Sequence, residues 1–143
     1  MEINSTRTKF ENSSPILSVG NLLVSVRYYV ETLGFANADW GSNFFTSVNR
    51  DRAGIYLCQG GQGQPGTWVW IGVEDVATLY EEYTASGARI LRAPRNYPWA
   101  FEMHVEDPDG HVLRFGSEPR TDRPLPMHIS SPICRQIVGP ERG

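Results

Sequence analysis

The sequence predicts an α+β protein made of two similar halves, each a strand, a helix and three further strands, forming a curved mixed sheet around a cleft. Three observations predict it. Two helix-capping residues, Asn21 and Asp75, lie 54 residues apart, and two helix-stopping glycines, Gly34 and Gly87, lie 53 apart. Behind each cap, apolar residues recur at helical spacing, and short apolar or alternating runs flank them. The chain has 143 residues, 40% of them hydrophobic, which is enough for one buried core. Two copies of a period near 50 are too few for a propeller or a solenoid.

The elements follow in order. Residues 1–14 are polar and carry little apolar pattern. Residues 15–19 form a short apolar strand. Asn21 then caps a helix, because its side chain accepts a bond from a free backbone N–H. Leu22, Val26, Tyr29, Val30 and Leu33 mark that helix's apolar face, and Gly34 ends it by taking the left-handed conformation. Strands are expected over 35–40, 44–49 and 54–59. The segment GGQGQPG, residues 60–66, reads as a flexible connector. The pattern then restarts, with a strand over 67–73. Asp75 caps a helix with Val76, Leu79, Tyr80 and Tyr83 on one face. Gly87 stops it, and strands are expected over 88–91, 99–106 and 111–117. The domain therefore spans 15–118, with modules over 15–59 and 67–118. Residues 119–143 form a tail in which Pro119, Pro124, Pro126, Pro132 and Pro140 forbid a long helix or a central strand.

The last hairpin is the most specific local signal. Asp107-Pro108-Asp109-Gly110 fits a type I turn with proline at its second position, and Gly110 supplies a positive φ. If Gly110 forms a bulge, His104 lies opposite Arg114 and Glu102 opposite Gly116. Glu102, His104, Glu106, Val112 and Arg114 then share one face. Phe101, Met103, Val105, Leu113 and Phe115 share the other, which must be buried.

Composition narrows the function classes. A net charge of −3 argues against a nucleic-acid partner, since phosphate binding needs clustered Lys and Arg. No apolar run approaches the ~18 residues of a membrane span, and the polar N-terminus lacks the apolar core of a signal peptide. A cytoplasmic location is the expectation. Cys58 and Cys134 form no CxxC and read as a buried thiol and a tail thiol. The 60–66 loop lacks the GK[ST] ending of a phosphate loop.

PILSVGNLLVSVRYYVETLGF and FEMHVEDPDGHVLRFGSE resemble the two ends of a vicinal-oxygen-chelate domain, the glyoxalase, bleomycin-resistance and dioxygenase superfamily. The resemblance covers residues 15–118 and implies a fold of paired βαβββ modules. Metal-dependent members place a His on the first strand, a His at the start of the fifth and a Glu on the last. Those positions align with Ser14, Trp68 and Arg114. A hydroxyl is a weak ligand, indole cannot coordinate, and guanidinium repels a cation. The resemblance therefore implies neither metal nor other cofactor. TWVWIGVEDVATLYEEY and YPWAFE are similar to segments of the bleomycin-resistance branch. That branch implies a homodimer sequestering a flat, cationic antibiotic between aromatic walls, without catalysis. By position, Trp99 matches its stacking Trp, and Phe44, with Phe45 one residue away, matches the opposing aromatic.

The expected ligand-binding residues are thus Trp99, Phe44, Trp68, Glu102, His104 and Arg114. Each has a plainer reading. Aromatic strand residues pack in cores, and half of Trp40, Phe44, Phe45, Trp68, Trp70, Tyr97 and Trp99 are expected to do so. Arg114 either clamps an acidic ligand group or pairs internally with Glu102 or Glu106, and Glu102 either meets a cation or serves that pair. His104 lacks a nucleophile or metal beside it. His111 is expected to be exposed and His128 lies in the tail. The functional expectation is a metal-independent protein binding an aromatic or cationic small molecule. The alternatives are a metalloenzyme of glyoxalase, thiol-transferase or dioxygenase type with a non-standard site, and a fused-repeat scaffold without a ligand.

Overall fold

A computed structural model describes residues 7–120. Each half forms one four-stranded mixed sheet. In the first, β1 (Ile16–Val19) runs parallel to β4 (Ala53–Gln59), β4 pairs antiparallel with β3 (Phe45–Arg50), and β3 with the short β2 (Ala36–Asn37). In the second, β5 (Trp68–Gly72) runs parallel to β8 (Val112–Ser117), β8 pairs antiparallel with β7 (Phe101–Glu106), and β7 with β6 (Arg89–Asn96). The same strand order in both sheets bears out the α+β paired-module expectation.

The helices carry the predicted caps. Helix α1 (Leu22–Arg27) starts at Asn21, whose Oδ1 accepts the Val24 N–H at 3.1 Å. It continues into a π-helical turn, Tyr28–Thr32. Helix α2 (Val76–Ser86) starts at Asp75, which accepts from Ala77 N and Thr78 N, and ends at Gly87 with φ 85°. Val76, Leu79 and Tyr83 are its buried face. On α1 and the π-helical turn that continues it, the buried set is Leu22, Ser25, Tyr29 and the capping Leu33. Ser25 takes a buried place because its hydroxyl donates to Asp109 Oδ2 at 2.7 Å, while Val26 is only partly covered.

One contiguous core joins the halves. It holds Leu17, Val19, Ile55 and Leu57 of the first sheet, Met103, Val105, Leu113 and Phe115 of the second, and the buried faces of both helices. The opposite face of each sheet is open. Strand alternation assigns Phe45, Ser47, Tyr56 and Cys58 to the open face of the first sheet. It assigns Trp68, Trp70, Glu102, His104 and Arg114 to that of the second. A groove of about 630 Å3 does run between the halves, but Arg50, Arg52, Glu74, Asp75 and Glu82 line it and no tryptophan does.

Several expectations need adjusting. The first-half strand expected over 35–40 keeps only two residues, because the chain leaves the ladder and Trp40 folds back towards Phe45 and Tyr56. Conversely, β6 runs well past residue 91. The 60–66 loop is docked as well as glycine-rich. A Cβ on Gly63, whose φ is +85°, would meet Ile16 O and Ser18 N at 2.7 Å, so only glycine lets the loop lie against β1.

His111 was expected to be exposed and is fully buried. Its Nδ1 accepts the Thr67 N–H at 3.0 Å, so its Nε2 carries the proton and donates to Ser18 O at 2.6 Å. The ring thus ties β1 of one half to the start of β5 and β8 in the other. Cys58 is buried as a free thiol. Cys134, His128 and the proline-rich segment from residue 121 lie outside the described residues. No helix among the described residues is long and apolar enough to cross a membrane.

Candidate functional site

The open face of the second sheet is built of cross-strand rows. Pairing aligns Trp68, Val112, Glu106 and Arg89 in one row. Trp70, Arg114, His104 and Arg92 form the next, and Gly72, Gly116, Glu102 and Arg95 the third. The predicted opposition of His104 to Arg114 and of Glu102 to Gly116 is present. It is produced by the Asp107–Gly110 turn, in which Gly110 has φ 82°.

Glu102 is the hub of this face. Its side chain is buried, yet it accepts from three side chains. Trp70 Nε1 and Trp99 Nε1 each donate to Oε2 at 2.9 Å. Arg114 Nη2 donates to Oε1 at 2.8 Å and to Oε2 at 3.1 Å, and Arg114 Nε donates to Oε1 at 3.1 Å. Burial works to raise the carboxyl's pKa. The facing His104 imidazole, the Arg114 and Trp70 donors and the Arg114 charge outweigh it and hold the pKa at about 2. Glu102 is therefore a carboxylate at any ordinary pH. Of the two partners weighed for Arg114, Glu102 is the one it meets.

Around that hub the tryptophans are fixed in place. Trp70 lies across the sheet, with its ring carbons 2.8–3.1 Å from where a Cβ on Gly116 would stand, so the glycine makes room for the indole. Trp99 sits in the turn before β7, stacked on the buried ring of Tyr97 at 4.8 Å and 16°. Trp68 meets His104 edge-on at 5.7 Å. His104 Nε2 is buried without a hydrogen-bond partner, 3.6 Å from Glu102 Oε1. Trp70 is 54% exposed and Trp68 36%, so these indoles present area to solvent. A cleft of about 460 Å3 opens between Trp70 and Trp99, with Glu74 and Glu118 among its other lining residues.

Five of the six expected residues therefore lie on or beside one face: Trp68, Trp99, Glu102, His104 and Arg114. The sixth, Phe44, is on the other sheet, just before β3, and 63% exposed. Phe45 begins β3 and stacks on Tyr56 at 5.3 Å. Trp70, Tyr97 and Gly116, which the sequence offers only as aromatics of either core or cleft and as the residue opposite Glu102, are not among the six expected residues. Parity along β5 would have found Trp70, two residues after Trp68. The Gly116 contact is visible only in three dimensions.

The donor set does not fit a divalent metal. Ser14 lies near Gly54 of the first sheet, while Trp68 and Arg114 are on the second. Both Glu102 oxygens are already engaged by cationic or N–H donors. Among the described residues, no group of three or more His, Cys, Asp or Glu side chains is arranged to hold a metal ion.

No protein of curated function matches the chain in sequence. Solved structures do match in fold. The bleomycin-binding protein of bleomycin-producing Streptomyces verticillus, complexed with copper(II)-bleomycin, superposes with a TM-score of 0.67 at 24% identity, over 80% of this chain and 100% of that one. TnmS3, an antibiotic-binding protein from Streptomyces sp. CB03234, superposes at 0.66 with 20% identity, over 80% and 100%. TioX from Micromonospora sp. ML1 gives 0.66 with 20% identity, over 76% and 99%. A family model matches residues 13–115, and with the paired-module topology it establishes that the chain belongs to the Glyoxalase/Bleomycin resistance protein/Dioxygenase superfamily.

Proposed function

We propose that the protein is a metal-independent binding protein that holds a small, flat aromatic molecule, of the kind found among antibiotics, against Trp70 and Trp99. One observation carries this reading: both indoles donate to the same buried carboxylate, which fixes two large rings beside an open cleft before any ligand arrives. Preorganised rings lose little freedom on binding, so more of the stacking energy appears as affinity. Each ring contact is worth ~0.5–1.5 kcal/mol beyond the area it buries. On this reading Glu102 positions the wall rather than meeting a cation, because Arg114 already offsets its charge. The likeness to two antibiotic-binding folds supports the same reading.

The wall has one side in a single chain. Phe44, Phe45 and Trp40 carry the exposed aromatic surface of the other sheet. A homodimer that lays this surface of one copy over the tryptophans of another would close the site. Sedimentation equilibrium tests this, and a monomer at tens of micromolar would remove the dimer from the proposal.

The ligand reading is tested by titrating flat aromatic natural products while following tryptophan fluorescence. Quenching is expected, and Trp99→Ala should weaken binding by about tenfold, equivalent to ~1.4 kcal/mol. If no such compound quenches, or Trp99→Ala changes nothing, the reading fails.

A further inference from the structure

We infer that the open face of the second sheet contains an anion subsite formed by Arg92 and Arg95, so that the preferred ligand is an aromatic molecule carrying an acidic group. This rests on the aromatic-wall reading above and specifies its ligand. The observation is the irregular path of β6. In a regular strand, residues three apart point to opposite faces. The β6–β7 register slips twice, once between Ile90 and Arg92 and once between Arg92 and Arg95. The slips bring Arg92 opposite His104 and Arg95 opposite Glu102, so both arginines project on the tryptophan-bearing face. The displaced Leu91 is left 53% exposed, a cost that the bulge imposes and that core packing does not explain.

Charge and contacts point the same way. Two arginines two ladder steps apart on one face stand about 7 Å apart along the strand, close enough to repel. Neither has a carboxylate partner among the described residues. The nearest acid across the ladder, Glu102, is engaged by Arg114 and two indoles. Arg92 Nη1 donates to Tyr97 Oη at 3.1 Å, and Tyr97 stacks on Trp99. The guanidinium thus stands at the edge of the aromatic stack. A carboxylate, sulfonate or phosphate on a ring seated there would meet charge-assisted donors that no carboxylate among the described residues engages. Glu74 and Glu118 line the cleft at the Gly72–Gly116 end, so a ligand's acidic end should point towards β6 and away from them.

Three probes of one shape test this: 9-anthracenecarboxylate, 9-anthracenemethanol and 9-(aminomethyl)anthracene. The carboxylate is expected to bind at least tenfold more tightly than the alcohol, and the ammonium most weakly. In Arg92→Gln/Arg95→Gln the carboxylate-to-alcohol ratio should fall to within about twofold of one. Because Arg92 also contacts Tyr97, Arg95→Gln alone should reduce the ratio as well. An ammonium probe that binds as tightly as the carboxylate, or a ratio that survives the double substitution, overturns the subsite and leaves the aromatic wall standing. If no probe binds, the aromatic wall fails, and inorganic phosphate decides the subsite. Phosphate that shifts the Arg92 and Arg95 side-chain NMR signals sustains it, and silence there overturns it.

Discussion

Glu102 shows how one buried side chain sets both stability and the shape of a surface. Its carboxyl is held at about 2, well below the usual carboxylate value. A lowered folded pKa contributes stability that is full above the unfolded value and is lost as pH falls from about 4.5 to 2. The corresponding contribution is on the order of 3 kcal/mol. Glu102→Gln should therefore destabilise the protein at pH 7, and urea midpoints of the two proteins should converge as pH drops below 4.5. A constant gap across that range would mean that the charge is not what stabilises the hub. Gly116 tests the geometry independently. In Gly116→Ala the new Cβ must displace the Trp70 ring, at a cost of ~1–3 kcal/mol. The Trp70–Glu102 bond should break, and aromatic ligands should bind more weakly while Trp99 remains bonded. A variant with wild-type emission and affinity would show that the ring was never confined.

At the scale of elements, the last hairpin explains what was legible in the sequence and what was not. The Asp107–Gly110 turn fixed the β7–β8 register from residue types alone, and that register correctly ordered Glu102, His104 and Arg114. The turn's second role lay beyond local chemistry. Tyr29 Oη donates to Asp107 Oδ2 at 2.8 Å, and Asp109 accepts from Gly20 N and Ser25 Oγ at 2.7 Å. The turn is thus a clamp on the first half, and His111 is part of it. Its burial could not be read from its neighbours because its partners, Ser18 and Thr67, come from elements far away in sequence. The bulges of β6 were hidden for a related reason: RILRAPR has no clean alternation, and the slips are defined by β7. His111→Ala should cost ~2–4 kcal/mol by leaving the Ser18 carbonyl and the Thr67 N–H unpaired in a buried space. Chemical denaturation measures it, and a loss under 1 kcal/mol would mean that water replaces the ring.

For the whole molecule, the repeat in sequence suggests two units, whereas the packing makes one. Both sheets and both helices share a single core, and polar contacts cross it at buried positions. Tyr83 of α2 donates to Leu33 O at 2.7 Å, at the end of the first half's helix. Beside it, Arg50 and Glu82 form a two-point ion pair across the halves. A half separated from its partner would expose Tyr29, Leu33, Tyr83 and Phe115 together, and the loss of that burial is far larger than the ~1 kcal/mol of any one bond. Unfolding should therefore be a single transition. Fluorescence dominated by Trp68, Trp70 and Trp99 reports on the second half, while far-ultraviolet circular dichroism averages over both. The two midpoints should coincide in the wild type. Tyr83→Phe should shift both together by ~1 kcal/mol, because the Leu33 carbonyl loses the buried one of its two donors, keeping only Arg50 Nη1 at 3.0 Å, while the ring still packs. Midpoints that separate in this variant would show two halves folding independently, and the core shared between them would then be a docking contact rather than the origin of the fold's cooperativity.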